Sequence, residues 1–138
     1  MRIFSGFLPL VAAFSLGSCG ETPDLGAADQ VVSAFHGELD REAYDEIWTT
    51  TSTAFKGVTT QTDFRKIMLA VHTKLGKVKK SVRVGWQKGM NTGGSYTQIK
   101  METNFEKGKG QEEFIIQVEG GHPVISGYHI NSADMMLN

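Results

Sequence analysis

The sequence predicts an α+β domain in which three N-terminal helices pack on one face of a four-stranded antiparallel sheet, behind a cleaved signal peptide. Apolar residues recur at helical spacing as far as Leu75 and alternate with a period of two from Val82 onward. Helices that come first and strands that follow favour α+β packing over an alternating α/β fold. We therefore divide the chain into a signal peptide at 1–18, a tether at 19–24 and one domain at 25–138.

The start of the chain has the pattern of a secretory leader. Met1 and Arg2 give a short basic start, and an apolar stretch runs from Ile3 to Leu16. That stretch is shorter than the ~20 apolar residues of a membrane-spanning helix, and it fits the core of a signal peptide. It ends in Leu16-Gly17-Ser18-Cys19, which resembles the bacterial lipobox of a branched apolar residue, two small residues and a cysteine.

The resemblance to the lipobox gives these residues their roles. Leu16, Gly17 and Ser18 form the signal-peptidase recognition sequence, in which small side chains let an extended backbone enter a narrow site. Cys19 takes a diacylglyceryl group on its thiol and becomes the mature N-terminus, usually with a further acyl chain on its amine. Two or three chains anchor a protein stably. The alternatives are an unmodified free cysteine, or a secreted protein cut at a nearby small residue.

The residue after the cysteine bears on the membrane that would hold the anchor. Asp at that position retains many Gram-negative lipoproteins at the inner membrane, and this chain has Gly20. We therefore expect the outer membrane, facing the periplasm, in preference to the inner membrane. In either case the mature domain leaves the cytoplasm.

The first two helices are predicted from their caps and their apolar faces. Asp24 is expected to cap a helix that begins at Leu25 and loosens or ends near Gly37. Asp40 is expected to cap a second, short helix over Arg41 to about Thr49. The apolar residues of these two helices are Leu25, Ala28, Val31, Val32, Phe35, Leu39, Tyr44, Ile47 and Trp48.

The third helix follows a stretch that favours loops. The hydroxyl-rich run from Thr49 to Thr53 and the turn from Gly57 to Thr60 both interrupt the helical pattern. Thr60 then begins a helix that Gly76 stops. Its apolar face consists of Phe64, Ile67, Met68, Val71 and Leu75.

Four strands are predicted from alternating residues. The first strand contains Val82, Val84 and Trp86, which alternate with polar residues and glycine and are all expected to face the core. A loop is expected to follow at 88–94. The remaining strands are expected near 96–105, 112–119 and 124–131, with the last two joined by a tight hairpin at Gly120-Gly121.

This order of elements resembles the NTF2-like cone, and within it the small bacterial envelope proteins of the DUF4019 type. The resemblance implies a curved sheet that wraps a pocket, and often a dimer through the outer sheet face, but it implies no activity. Three groups of segments carry the resemblance. Residues 35–40 and 44–48 resemble the family's connection between its first two helices, and 55–59, Phe64 and Leu75-Gly76 resemble the start and end of its third helix. Residues 114–132, which include Val118-Glu119-Gly120-Gly121 and 124–130, resemble its closing hairpin.

Composition and motifs argue against several classes of function. The formal net charge is −1, which gives no electrostatic reason to expect nucleic acid as a partner. Acid–base candidates occur outside any recognisable catalytic motif, and the histidines are too scattered for a metal site, so we expect no catalytic residues, no metal and no cofactor. These candidates and histidines are Asp40, Tyr44, Asp45, Tyr96, Tyr128, His36, His72, His122 and His129.

The sequence thus predicts a non-enzymatic, lipid-anchored protein of the cell envelope that binds a small apolar ligand or a peptide inside the cone. The same pocket residues would alternatively fill the cone. A second hypothesis is a dimerising or scaffolding interaction module, and a third is an enzyme of the isomerase or dehydratase type. The residues proposed to line the pocket are Phe35, Trp48, Phe64, Trp86 and Phe114.

Overall fold

Residues 22–138, which the computed structural model describes, form five helices and four strands. The predictions for Leu16, Gly17, Ser18 and Cys19 lie outside the described residues. The elements are α1 (Leu25–Asp40), α2 (Tyr44–Thr49), α3 (Thr53–Val58), α4 (Gln61–Leu75), β1 (Val78–Asn91), β2 (Gly94–Phe105), β3 (Gly108–Glu119), β4 (His122–Asn131) and α5 (Ala133–Leu137).

The four strands form one antiparallel sheet in the order β1-β2-β3-β4. On one face of this sheet Ile99, Phe114 and Tyr128 lie side by side in register. Together with the apolar faces of α1, α2 and α4 they form the hydrophobic core. The predicted α+β class, with helices before a four-stranded antiparallel sheet, is confirmed.

The predicted caps of the two longest helices are also confirmed. The side chain of Asp24 accepts a hydrogen bond from the Ala27 amide at 2.7 Å, and Thr60 accepts one from the Asp63 amide at 3.1 Å. Gly76 ends α4 with a φ of 76°, a left-handed conformation that glycine adopts without steric cost. In the part of the chain that is described, no helix is long and apolar enough to cross a membrane.

The helix count and the role of Asp40 were predicted wrongly. Ser52 accepts a hydrogen bond from the Phe55 amide at 3.0 Å, so the hydroxyl-rich stretch starts the additional helix α3. Ser132 caps α5 in the same way. Asp40 is the last residue of α1, which continues through Gly37, and its carboxylate accepts from the Val78 amide at 2.9 Å. The side chain of Asp40 therefore joins α1 to β1 and does not cap α2.

The prediction for β1 was wrong in its length and in its buried residues. The strand continues through most of the expected loop, as far as Asn91. Val82, Val84 and Trp86 are 46%, 55% and 52% exposed. The register shifts between Arg83 and Gly85, which places Val82 opposite Glu102 on the outer face and Trp86 opposite Ile99 on the helix side. A bulge in an edge strand thus breaks the alternation on which the prediction depended.

Candidate functional site

Four of the five proposed pocket residues meet in the core, where their rings occupy the space between the helices and the sheet. Phe35 and Phe114 are buried with their centroids 5.0 Å apart, and Trp48 lies 5.5 Å from Phe64. These contacts are tight enough for ring-on-ring packing. Trp86 lies apart, on the exposed edge of the sheet. Phe35, Phe64 and Phe114 thus belong to the core and Trp48 packs against it, whereas Trp86 does not.

A buried carboxylate lies beside these rings. Glu112 on β3 accepts hydrogen bonds from the His36 imidazole Nε2 at 2.8 Å, the Thr103 hydroxyl at 2.5 Å and the Tyr128 hydroxyl at 2.8 Å. Its side chain is fully enclosed. A buried carboxylate needs such donors, because leaving a charge unpaired in a protein interior is costly. We call these four residues the Glu112 cluster.

Four elements contribute to the Glu112 cluster. His36 comes from α1, Thr103 from β2, Glu112 from β3 and Tyr128 from β4. Thr103 also shares a hydrogen bond of 2.7 Å with the Ser81 hydroxyl on β1, so the polar contacts extend across the whole sheet. The cluster thus ties the longest helix to all four strands.

The surroundings of Tyr128 in the Glu112 cluster favour its neutral form. Burial raises the pKa of Tyr128 well above its ordinary value, and the negative charge of Glu112 raises it further. The neutral phenol is therefore held as a donor to the carboxylate. The rings of Phe35 and Phe114 each lie 5.9 Å from the His36 imidazole and occupy the space beside it. The residue types are those of acid–base chemistry, but the surrounding packing is that of a core.

The opposite face of the sheet carries a cleft. A groove of about 720 Å³ lies over the outer side of the strands, next to α5. A second groove of about 240 Å³ shares Gln111 and Asn131 with it and reaches Val84. The first groove is lined by Lys80, Val82, Glu102, Thr103, Asn104, Lys109, Gly110, Gln111, Asn131, Ser132, Ala133 and Asp134. Its floor is thus polar and charged, with one exposed valine at the edge.

The acid–base candidates from the sequence do not come together. Asp45 is exposed and accepts from Arg65 at 2.9 Å, and Asp40 bonds the backbone of β1. Tyr44 is buried, and its hydroxyl has no hydrogen-bond partner among residues 22–138. Tyr96 lies on β2, and only Tyr128 contacts Glu112.

The histidines are separated as well. His36 belongs to the Glu112 cluster, and the imidazole of His72 on α4 lies 3.3 Å from the Glu42 carboxylate. His122 begins β4, and His129 lies on the outer face of that strand opposite Glu113. Within residues 22–138, no group of three or more His, Cys, Asp or Glu side chains could hold a metal ion.

The sequence contained a signal for the cluster that our prediction did not use. Phe114 and Ile116 on β3 face the core, and the same alternation turns Glu112 inward. A glutamate at a core position of a strand requires partners, and Thr103 occupies a core position on the predicted neighbouring strand. The pairing with His36 joins residues 76 positions apart and could not be read from spacing.

Comparison with known sequences gives a family and no activity. The sequence model of the DUF4019 family, described as a protein of unknown function, matches residues 31–128. The match covers all of the Glu112 cluster and strands β1 to β3, and ends within β4. No curated protein matches the chain.

Proposed function

The chain belongs to the DUF4019 family, and we propose that it is a non-enzymatic, lipid-anchored interaction module of the bacterial cell envelope that pairs with a second copy of itself. The pairing surface in this proposal is the outer face of the sheet. The observation that carries the proposal is the contrast between the two faces. The helix side is packed with rings, whereas the outer side holds a groove of about 720 Å³.

The packed helix side favours an interaction module over a ligand carrier. A site for an apolar ligand is usually a concave cavity that encloses most of the ligand. Here Phe35, Phe64 and Phe114 are buried against other side chains. The NTF2-like cone implied by the sequence is then a scaffold for the sheet, and the Glu112 cluster stabilises that scaffold.

The charges on the outer face support a second copy as the partner. Lysine and acidic side chains alternate there, and Lys100 lies 4.0 Å from Glu113 within one chain. In a two-fold dimer, a residue away from the axis contacts a different residue of the second copy. A lysine of one copy can therefore pair with an acidic side chain of the other. The charged residues of this face are Lys80, Lys100, Lys109, Glu102, Glu113 and Asp134. Val82 and Val84 add exposed apolar area beside them.

The anchor in this proposal is the lipid on Cys19, supported by the lipobox and the apolar leader. The short tether places the domain close to a membrane, and Gly20 favours the outer membrane facing the periplasm. Pairing on a membrane is also helped by confinement, because two anchored chains have a high effective concentration.

Cross-linking through one introduced thiol tests the pairing surface. Cys19 is the single cysteine of the chain, and lipidation would block its thiol. Val84→Cys therefore places a free thiol on the outer face, and Val58→Cys places one on α3 as a control that is 85% exposed. In membranes treated with a short bis-maleimide, we expect Val84→Cys to give a band of twice the chain mass and Val58→Cys to stay monomeric.

Two results would contradict the pairing. One is equal cross-linking by Val84→Cys and Val58→Cys, which would mean random collision. The other is a Val84→Cys product of a different mass, which would mean that another protein covers this face. The unsubstituted protein serves as a further control, because a cross-link there would show that the thiol of Cys19 is free.

A further inference from the structure

We propose that an exposed patch of Trp86, Lys88 and Met90 contacts the lipid headgroups of the membrane that holds the anchor. This patch, which we call the tether-side patch, lies at the end of β1. It is separate from the outer-face groove, because Trp86 is in register with Ile99 on the helix side of the sheet. The inference rests on the lipid anchor proposed above.

The tether-side patch lies beside the point where the chain enters the domain. The Thr97 hydroxyl donates to the Pro23 carbonyl at 2.9 Å, and Thr97 is in register with Lys88. Pro23 and Lys88 therefore both lie next to Thr97. Met90 follows on the same strand, next to the β1–β2 turn.

The length of the tether keeps this end of the domain near the bilayer. Cys19 and Pro23 are four residues apart. Four residues span at most roughly 14 Å even when fully extended. A lipid-modified Cys19 therefore holds the tether-side patch within reach of the headgroup layer, whatever conformation the tether adopts.

The side chains of the tether-side patch suit a membrane surface. Trp86 is 52% exposed and Met90 is 78% exposed. Tryptophan settles at the boundary between headgroups and acyl chains, and lysine can extend its ammonium toward phosphates. Lys88 supplies the positive charge of the patch, and strand β1 contains no acidic residue, so the patch favours anionic lipid.

The edge of β1 also favours a lipid surface over an added peptide strand. A peptide that extends a sheet needs an uninterrupted row of backbone donors and acceptors. The register of β1 shifts between Val78 and Lys80 and again between Arg83 and Gly85, so the uninterrupted row beside the patch is confined to 85–91. Bulges and lysines are features that keep edge strands from pairing.

Tryptophan fluorescence tests the contact. The chain has two tryptophans, Trp48 and Trp86, so Trp48→Phe leaves only the one in the tether-side patch. The lipidated protein is placed in vesicles of phosphatidylcholine and phosphatidylglycerol that contain brominated acyl chains. We expect the emission of Trp48→Phe to shift to shorter wavelength and to lose intensity. The control Trp86→Phe retains Trp48, packed between Phe55 and Phe64, and should keep its emission.

The outcomes separate the patch from the anchor. Mass spectrometry of the same sample reports whether Cys19 carries lipid. If the protein is lipidated but brominated lipid does not quench Trp86, the contact is overturned and the anchor remains. The same conclusion holds if aqueous iodide also fails to quench Trp86, because another protein would then cover the patch. An unmodified Cys19 would overturn the anchor and the contact with it.

A charge variant gives an independent readout. Lys88→Glu should reduce the quenching of Trp86 on vesicles that contain phosphatidylglycerol and change it little on phosphatidylcholine alone, because only anionic lipid repels the new carboxylate. If Trp86 is quenched equally on both kinds of vesicle with and without Lys88→Glu, in proteins that also carry Trp48→Phe, the role of Lys88 is contradicted.

Discussion

Glu112 and Glu113 are adjacent in the sequence and face opposite sides of the sheet. Glu112 is enclosed with three hydrogen-bond donors, whereas Glu113 lies on the outer face, 4.0 Å from Lys100. Both residues lie on β3, where successive side chains point to opposite faces of the sheet. This alternation alone makes one glutamate a buried hydrogen-bond acceptor and the other a surface charge. The comparison teaches that the helix side should be sensitive to substitution and the outer side tolerant.

The largest effect is expected when the buried glutamate is removed. Glu112→Ala leaves three donors without their acceptor and should lower the free energy of unfolding by about 3–5 kcal/mol. Glu112→Gln keeps the shape and should cost less. Urea denaturation of residues 22–138 measures both. The matched control, Glu113→Ala, should change the free energy of unfolding by no more than about 0.5 kcal/mol, since surface substitutions usually do. Similar losses for both glutamates would break the comparison.

A smaller loss is expected for one donor of the cluster. Tyr128→Phe removes the hydrogen bond to the Glu112 carboxyl group and should cost about 1–3 kcal/mol near neutral pH. The variant keeps the ring that packs on Phe35 and Phe114. A loss indistinguishable from zero in urea denaturation would mean that the hydroxyl contributes nothing to the cluster.

The same tyrosine gives the protein an alkaline limit. The pKa of Tyr128 is raised in the folded state, so its contribution is fully present below the pKa of an unfolded tyrosine, near 10, and is lost as the pH rises above that value. The free energy of unfolding should therefore fall more steeply above about pH 10 in the parent protein than in Tyr128→Phe. Parallel pH profiles of the two proteins would contradict the raised pKa.

The smallest effect on stability is expected on the outer face. Val82→Lys should change the free energy of unfolding of the monomer by no more than about 0.5 kcal/mol, because Val82 is already 46% exposed. Sedimentation velocity should show a larger effect on self-association, since the new charge lies in the proposed interface. A destabilised monomer would contradict the tolerance of the outer face to substitution. Unchanged self-association would contradict the role of this face in pairing.

The fold was predictable where one local rule decides the structure. Helix caps at Asp24 and Thr60, the stop at Gly76 and the Gly120-Gly121 turn, whose φ values are 59° and 79°, all follow from the chemistry of single residues. The strand order followed from short connections. Because these rules are local, the α+β class could be predicted without knowledge of any long-range contact.

The rest depended on contacts between distant residues. The bulge after Arg83 turned an apparent core row into exposed residues, and periodicity alone does not reveal a bulge. Trp86 does lie on the helix side, but it is 52% exposed at the edge of the sheet. The Glu112 cluster was missed because its partners come from four elements, although the inward position of Glu112 itself followed from the parity of β3.

The most direct test of the account is native mass spectrometry of the protein purified from its own membrane. It reports the lipid on Cys19, the number of chains and any retained small molecule together. The account predicts two lipidated chains with no ligand inside the packed core. A single chain that carries a bound small molecule would contradict the pairing and the filled core together.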